Sequence, residues 1–427
     1  MIATNIGRTF LKAYNKKNES NYSAKDFFNE KYFPLFFDDD KYMQWVTNSP
    51  FVQGIKKNVA PTALERKQKL LVLNDKIFNT LADASIAIGF PSLDLTATTS
   101  GQITNLKLPL YQEDVYLSWI GGGLGIGIQG GLSILFDKAE LLLDVFEGWA
   151  VYRNYLNKTL KLRGNQINTW NGQWLAHRYN PRTYNPTDKT ASFNGISPMK
   201  DGGFEVDTQS WVAILVGVSL TYPNTQITGY VYNLGQTNTT IGFIPFKLPQ
   251  IKRPIELYEK YFGTSKRHEA EKLFGTAFGF TRACQMGSIG INAMEPKGLR
   301  EYIEKGKIPT YNNEQEEEKK INFNTYKIWL LAMLNNEQLW DSALKFATIL
   351  QKYATSGDKG KTDKSNKIKT VLASVNKKQF IDCLTTIVQE ATTKEDYIEI
   401  AKQINVMPSD NVPYYLTLIR FQFASIN

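Results

Sequence analysis

The sequence predicts an α+β fold, with helices and strands mixed in the N-terminal and middle parts and a helical bundle after them. Apolar residues make up 42% of the 427 positions and charged residues 21%, the balance of a folded globular protein. Runs rich in β-branched and aromatic residues are confined to the middle, whereas nearly everything from about residue 322 onward is predicted to be helical. We therefore expect three regions: 1–160, mainly helical with a Gly-rich segment; 161–310, strand-rich; and 322–427, a C-terminal helical bundle.

Helices are predicted for much of the first region. Ser23, with Asp26 three positions later, has the pattern of a helix N-cap and precedes aromatic residues at helical spacing. Further helices are expected at 61–81 and at 132–156, the second after the glycine-dominated stretch 116–134. The glycines of that stretch suit close approach by another backbone, either of a neighbouring chain or of a nucleic acid.

In the middle region three runs are predicted to be strands: 210–220, 226–232 and 240–246. Each is rich in β-branched and aromatic residues and is bounded by Gly, Pro or Asn turns. The acidic stretch at 312–320 is expected to be a linker or an exposed helix start, and it separates this region from the helical bundle.

Two helix starts can be assigned within the C-terminal bundle. Asn376 and Thr393 are predicted N-caps, because each has Gln or Asp three positions later. Between the helices, a Lys-rich loop is expected at 356–369.

Composition limits the functional classes. Lys and Arg outnumber Asp and Glu by 50 to 41, and the net charge of +9 favours a polyanionic partner or serves solubility alone. Cys284 and Cys383 lie far apart without His or Cys neighbours, so we expect neither a zinc site nor a disulfide framework. The N-terminus is polar, and the longest apolar run, 211–220, is too short to span a bilayer. We expect a cytoplasmic protein with no membrane contact.

Two glycine motifs resemble nucleotide sites but lack required parts. Residues 125–130 fit the dinucleotide pattern GxGxxG, yet Asp144 and Glu147, about twenty positions on, fall inside a predicted helix where no second strand can begin. Residues 357–362 end like a phosphate-binding loop, but Thr355 stands where the first Gly is required. The sequence therefore predicts no bound cofactor.

Signatures of catalysis are equally weak. The two histidines, His177 and His268, stand in no metalloprotease pattern, and no GxSxG elbow occurs. The triplet 295–297 resembles the end of a nuclease motif but lacks nearby Asp residues to complete a metal site. The Asp run at 38–40 is interpreted as a solvated turn. The sequence thus predicts a protein that is not an enzyme and holds no metal.

The strongest signal is a stretch from 149 to 200 in which basic and aromatic side chains are interleaved and Asp188 is the one acid. Cations neutralise phosphates, flat rings stack on bases or wedge into a duplex, and Asn or Gln can read base edges. We interpret the stretch as a nucleic-acid-binding surface; the alternative is a solvated basic face beside core aromatic residues. Its members are Arg153, Lys158, Lys161, Arg163, Arg178, Arg182, Lys189 and Lys200, interleaved with Trp149, Tyr152, Tyr155, Trp170, Trp174, Tyr179 and Tyr184.

A second basic tract lies in the C-terminal bundle. Between Ser356 and Lys378 seven lysines stand against two aspartates, and no aromatic residue occurs. Lysines without aromatic neighbours favour sequence-independent contact with phosphates; an inert mobile loop is the alternative.

Several short segments also stand in a characteristic order along the chain. They are NIGRTFLKAY (5–14), SAKDFF (23–28), YFPLFF (32–37), NSPFV (48–52), the glycine-rich stretch with EGW (147–149), GQTNTTIG (235–242), GSIG (287–290) and EPKGLR (295–300). With the helical C-terminus, this order resembles the large subunit of type I CRISPR surveillance complexes (Cascade), especially the I-A/I-B-like branch. Many members carry a zinc module built from cysteine pairs. The isolated Cys284 and Cys383 cannot form such a module, so the resemblance implies a zinc-free variant.

The resemblance implies a non-catalytic subunit that binds the 5′ handle of the guide RNA and double-stranded target DNA. It would inspect the motif flanking the target, help to open the duplex, contact other Cascade subunits and dock the helicase-nuclease. The C-terminal bundle would resemble the small subunit, and Met333 could start a separately translated copy of it. From residue type, the candidate DNA contacts are Lys158, Lys161, Arg163, Asn171, Gln173, Arg178, Arg182, Lys359, Lys361, Lys364 and Lys367.

Two other functions remain open from the sequence. One is a standalone defence nuclease or other DNA- or RNA-processing enzyme whose carboxylates converge only in the fold. The other is a structural assembly subunit that uses the aromatic-rich segment 27–45 as an interface and does not bind nucleic acid.

Overall fold

A computed structural model of the chain consists of two compact units, Met1–Leu248 (unit 1) and Pro249–Asn427 (unit 2). Helix makes up 58% and strand 8% of the residues that the structure describes, and the α+β fold class is confirmed. The division into two units differs from the three regions expected from the sequence. The structure describes residues 1–46, 49–55, 59–79, 86–89, 111–234, 240–312, 314, 316–356, 361–391 and 393–426.

The N-terminal helices of unit 1 form an aromatic core. Ser23 caps a helix as predicted, because its hydroxyl accepts a hydrogen bond from the Asp26 N–H at 3.1 Å. The rings that follow turn inward, and Phe28, Tyr32 and Phe36 are fully buried. The helices of unit 1 are α1 (Ile2–Lys17), α2 (Ala24–Phe27), α3 (Phe33–Phe36, joined to α2 by a π-helical turn), α4 (Ala63–Asn79), α5 (Gln112–Gly123), α6 (Ala139–Lys158), α7 (Ile167–Arg178) and α8 (Trp211–Thr221).

Glycines let two of these helices touch backbone to backbone. A Cβ atom on Gly121 of α5 would lie 1.8 Å from the Ala3 carbonyl oxygen, and one on Gly7 of α1 would lie 2.1 Å from the Leu117 carbonyl oxygen. No side chain larger than hydrogen fits at either position. The close backbone approach predicted from the glycines therefore occurs here between helices of the same unit.

A small antiparallel sheet completes unit 1. Within the described residues, its strands pair in the order β1 (Ile126–Ile128), β2 (Leu132–Phe136), β5 (Gln226–Asn233) and β6 (Thr240–Lys247). The predicted strands at 226–232 and 240–246 are confirmed, and they pair as a hairpin beside a second hairpin that contains the GxGxxG motif. Strands β3 (Ile196–Pro198) and β4 (Phe204–Val206) form a separate hairpin.

Three predictions about this part of the chain were wrong. The run at 210–220 forms helix α8 and not a strand: Ser210 caps it by accepting the Ala213 N–H at 3.2 Å, and burial around most of the helix removes the usual periodicity. The helix predicted from residue 132 begins at Ala139, because 132–136 is strand β2. Apart from its hairpins, the middle region is helical and not strand-rich.

The regular structure described for unit 2 is helical. Asn376 caps a helix as predicted, since its Oδ1 accepts the Gln379 N–H at 2.9 Å, whereas Thr393 is not a cap because that helix has Lys394 at its N-cap. No described helix of either unit is long and apolar enough to cross a membrane. The helices are α9 (Leu248–Phe262), α10 (Arg267–Glu271), α11 (Phe280–Cys284), α12 (Arg300–Lys305), α13 (Glu317–Leu334), α14 (Gln338–Thr355), α15 (Lys361–Leu372), α16 (Lys377–Val388), α17 (Glu395–Val406) and α18 (Val412–Ile426).

Candidate nucleic-acid interface

The tryptophans of the 149–200 stretch lie in the core of unit 1. Trp149, Trp170 and Trp174 have no exposed surface. The indole N–H of Trp170 donates to the Gly148 carbonyl at 2.8 Å, and Tyr152 stacks on Trp170 with ring centroids 4.8 Å apart. These rings join α6 to α7, so the prediction that they face a polynucleotide was wrong.

The two amides proposed to read base edges are also buried. Asn171 donates to the carbonyls of Gly123 and Gly125 at 2.8 Å each, which fixes the backbone between α5 and β1. Gln173 donates to the Asp207 carbonyl at 2.6 Å and accepts from the Gln209 amide at 3.1 Å. Both amides hold loops of unit 1 in place, and their prediction as groove contacts was wrong.

Arg178 forms ion pairs with two acids on α6. Its guanidinium lies 2.7 Å from Asp144 and 2.9 Å from Glu147, and it packs over the Tyr184 ring at 5.2 Å. Lys189 also pairs with Glu147. Arg178 thus joins α7 to α6, and its prediction as a DNA contact is corrected to a structural role.

Arg153 has the same structural role on the other side of α6. It is 8% exposed, donates to the Leu35 carbonyl at 2.7 Å and pairs with Asp39 at 3.1 Å. The count of acidic residues in the 149–200 stretch did not include this partner, because Asp39 lies outside the stretch. The spacing of Asp144 and Glu147, three positions apart on a helix, was the available signal for the Arg178 pair.

The exposed cations of the stretch include Lys158, Lys161, Arg182 and Lys200. Lys158 and Lys161 flank Leu160, which is 83% exposed and therefore the most open large apolar side chain of the described residues. Arg163, the remaining candidate, is half-exposed but lies 3.3 Å from Glu205 and 3.9 Å from Asp201.

The segment 158–163 is held in shape by the β3–β4 hairpin. The Phe204 N–H donates to the Lys161 carbonyl at 3.1 Å, and the Arg163 N–H donates to the Phe204 carbonyl at 2.9 Å. Lys161 itself has a φ of +59°, in the left-handed region. The turn therefore presents Lys158, Leu160 and Lys161 on a fixed backbone.

The predicted Lys-rich loop of unit 2 is a helix from Lys361 onward, and Lys359 lies outside the described residues. Lys367 lies 2.6 Å from Asp363 and pairs with Glu390, and hydrogen bonds to these two acids raise the pKa of the lysine. Lys364 donates to the Ser356 hydroxyl at 3.0 Å. These two lysines are held by local partners.

Three other lysines of α15 and α16 are exposed: Lys361, Lys369 and Lys378, hereafter the exposed lysine set. Within the described part of the chain none of them pairs with a carboxylate. From 361 to 378 the chain has six lysines and one acid, Asp363. The sequence identified the tract but not Lys369 and Lys378 individually, because exposure on the helices decides which lysines are available.

Comparison with known proteins assigns no family. No protein-family model, curated protein or solved structure matches this chain.

The acids singled out in the sequence have structural partners. Arg66 lies 3.4 Å from Asp38 and 2.8 Å from Asp40. Glu295 is 1% exposed and pairs with Arg300; burial raises the pKa of its carboxyl. No three or more His, Cys, Asp or Glu side chains are grouped to hold a metal ion among the residues that the structure describes.

His177 is held by a hydrogen bond and Cys284 is buried. His177 lies 3.0 Å from the Lys189 carbonyl oxygen through its Nε2 atom. Burial raises the pKa of the Cys284 thiol to about 12, which disfavours the reactive thiolate.

Proposed function

We propose that this chain is the non-catalytic large subunit of a type I CRISPR surveillance complex. In this role it binds the guide RNA handle and target DNA, reads the flanking motif, supports R-loop formation and recruits the helicase-nuclease. The order of short segments supports the family, and the exposed lysine set on α15 and α16 supports nucleic-acid binding. The lysine set is the observation that carries the proposal.

The charge of this part of unit 2 favours a phosphate backbone. Six lysines against one acid between 361 and 378 leave an excess of five positive charges. Part of that excess is neutralised by Glu390, which pairs with Lys367. Exposed lysines attract phosphates without selecting a sequence, because an ammonium group acts as a point charge. Such a surface suits a displaced single strand or the backbone of a guide–target hybrid.

In unit 1 the proposed nucleic-acid contact is the turn at 158–163, because the rings predicted for this contact are buried. Lys158 and Lys161 can contact phosphates on either side of Leu160. Apolar side chains exposed between cations are used elsewhere to wedge between base steps and unstack them. A contribution of Leu160 to duplex opening follows from this arrangement.

The proposal predicts salt-sensitive binding that depends on the exposed lysine set. In the full-length protein, changing Lys361, Lys369 and Lys378 together to Gln should weaken binding to labelled DNA and RNA. The slope of log K against log salt should fall by about one for each phosphate that a lysine no longer neutralises. Binding is measured by fluorescence anisotropy at several salt concentrations.

The matched control is Lys345→Gln, which removes one exposed positive charge of the same unit. Lys345 lies 3.2 Å from Asp396 and 2.8 Å from Glu399, so we expect its loss to leave the slope unchanged. An unchanged slope in the triple variant, or metal-dependent cleavage of the nucleic acid by purified protein, would contradict the proposal. Retention of the chain by a guide-RNA-bound complex tests the assembly role separately.

A further inference from the structure

The hairpin of β5 and β6 has two faces of different character. On the inner face, Ile227, Val231 and Phe246 are buried. Gly229 lies between them, and a larger residue does not fit there, because a Cβ would come within 2.8 Å of Phe136 and Phe246. The rings of these two residues pack edge to face with centroids 5.1 Å apart. The inner face therefore belongs to the core of unit 1.

The outer face carries three aromatic rings in a row: Tyr232, Tyr230 and Phe243, hereafter the ring row. Tyr230 stands opposite Phe243 in the strand register, and their ring centroids are 5.2 Å apart with the planes inclined by 57°. Tyr230 and Tyr232 are nearly parallel, with centroids 6.0 Å apart. Phe243 is 65% exposed, which is high for a phenylalanine in a strand.

Among the described residues, helix α7 covers one end of this outer face. A Cβ on Gly127 of β1 would lie 2.8 Å from the Asn168 backbone of α7, and Gly127 is aligned through Ser133 with Tyr232. The ring row therefore starts beside α7 and runs to β6, which ends the order of strands in the described sheet. Tyr230 and Phe243 are at its open end.

The polar groups around the rings are suited to a polyanion. Neither β5 nor β6 contains an acidic residue. Lys247 lies on the same face as Phe243, four residues further along β6, and stands opposite Gln226. The Tyr230 hydroxyl lies 3.2 Å from the Thr240 hydroxyl. The surface therefore combines flat rings with hydroxyl, amide and ammonium groups.

The geometry points to a stacking platform for the bases of single-stranded nucleic acid, built from Tyr230 and Phe243. Every base has a flat face that stacks on an aromatic ring, and a cation on the same face, with no acid in either strand, favours the phosphate backbone. Because the planes of the two rings are inclined by 57°, one flat base cannot stack on both rings, and each ring is expected to stack on a different base. An apolar protein partner fits less well, because it would bury the hydroxyl, amide and ammonium groups of this face without replacing their bonds to water.

This inference deepens the proposed function, since it names the ligand as an unpaired strand and the contact as base stacking. It does not depend on the exposed lysine set, which lies in unit 2. The two can be told apart because stacking changes affinity at constant salt slope, whereas removing a cation that neutralises a phosphate changes the slope.

The test uses the full chain with Phe243→Ala and two single-stranded oligonucleotides of equal length, oligo-dT and its fully abasic counterpart. For oligo-dT we expect affinity to fall by about five- to a hundredfold, the effect of losing one stacked base. For the abasic strand we expect Phe243→Ala to leave the affinity unchanged, because there is no base to stack. Phe243→Trp, which keeps a flat ring, should retain the affinity for oligo-dT.

The control is Phe78→Ala, which removes a ring that is 46% exposed on α4 of the same unit. Its affinity should match that of the unchanged protein. Equal losses on both oligonucleotides would overturn the stacking contact, and so would an unchanged affinity for oligo-dT in a folded Phe243→Ala variant. If Phe243→Ala lowers the affinity for oligo-dT while the triple Gln variant leaves the salt slope unchanged, base stacking is supported and phosphate contact by the exposed lysine set is contradicted.

Discussion

The two basic tracts of this chain look alike in composition and are used differently by the fold. In the 149–200 stretch of unit 1, Arg153 and Arg178 pair with acids and the tryptophans fill the core. In unit 2, Lys361 and Lys369 point to solvent from α15. Basic and aromatic residues that alternate in sequence can therefore build a core, whereas lysines without aromatic neighbours remain at the surface.

The difference follows from the side chains themselves. The planar guanidinium of arginine can bridge two carboxylates, as Arg178 does with Asp144 and Glu147, and it stacks on an aromatic ring. The lysine ammonium is strongly hydrated and stays in water unless burial is forced on it. Arginine beside tryptophan is thus weaker evidence for a nucleic-acid surface than exposed lysine.

The largest loss of stability is expected when a tryptophan of the 149–200 stretch is truncated. Trp174 is fully buried and donates to the Asp144 carbonyl at 2.8 Å. Trp174→Ala should lower the free energy of unfolding by about 3–5 kcal/mol, because it leaves a large cavity. Urea unfolding followed by far-UV circular dichroism measures this. Trp45→Ala, at a side chain that is 48% exposed, should change it by less than about 0.5 kcal/mol.

One buried lysine is the exception in unit 2. Lys327 of α13 is 6% exposed and lies 5.1 Å from the Trp340 ring, with its ammonium 3.2 Å from the Ser425 hydroxyl. Within the described residues it forms no ion pair, and burial lowers its pKa to about 8. Unit 2 therefore buries a cation without the carboxylate that unit 1 supplies to Arg178.

This burial makes stability depend on pH in a defined direction. Below pH 8 Lys327 is charged in both the folded and the unfolded chain, and the full burial penalty applies. Between pH 8 and the unfolded pKa near 10.5, only the unfolded chain keeps the proton, so stability rises with pH by up to about 3 kcal/mol. Lys327→Met should remove this rise. Unfolding free energies of both proteins at pH 7.5 and 10 measure it; parallel pH profiles would contradict the account.

A smaller effect is expected from Arg178→Ala. The substitution leaves Asp144 and Glu147 without their guanidinium partner in a half-buried position. Lys189 still pairs with Glu147, and the Tyr179 hydroxyl still donates to Asp144 at 2.7 Å. We therefore expect the unfolding free energy to fall by about 1.5–3 kcal/mol, the usual contribution of a hydrogen bond to a charged group. Guanidinium is not suitable as denaturant here because it screens ion pairs, so urea is used. A variant as stable as the parent protein would show that the pair contributes nothing to folding.

The local features of the fold were predictable from the sequence because they depend on neighbours in the chain. The caps at Ser23 and Asn376 and the strands at 226–232 and 240–246 are of this kind. Helix α8 was not predictable, because burial around most of its surface removes the periodicity that distinguishes helix from strand.

The candidate site was predictable only as composition. Arg178 lies 34 residues from Asp144, and Arg153 lies more than a hundred from Asp39. The sequence can therefore place Asp144 and Glu147 together on a helix, but it does not show which arginine pairs with which acid. In the same way, the exposure of Phe243 depends on strand order and not on the sequence of β6: in the described sheet β6 is the last strand, at the end of the outer face opposite to β1 and α7.

The most direct test compares how salt affects DNA binding by Arg178→Ala and by the triple Gln variant of Lys361, Lys369 and Lys378. We expect the triple variant to lower the slope of log K against log salt and Arg178→Ala to leave it unchanged. A lowered slope for Arg178→Ala with an unchanged slope for the triple variant would contradict this expectation.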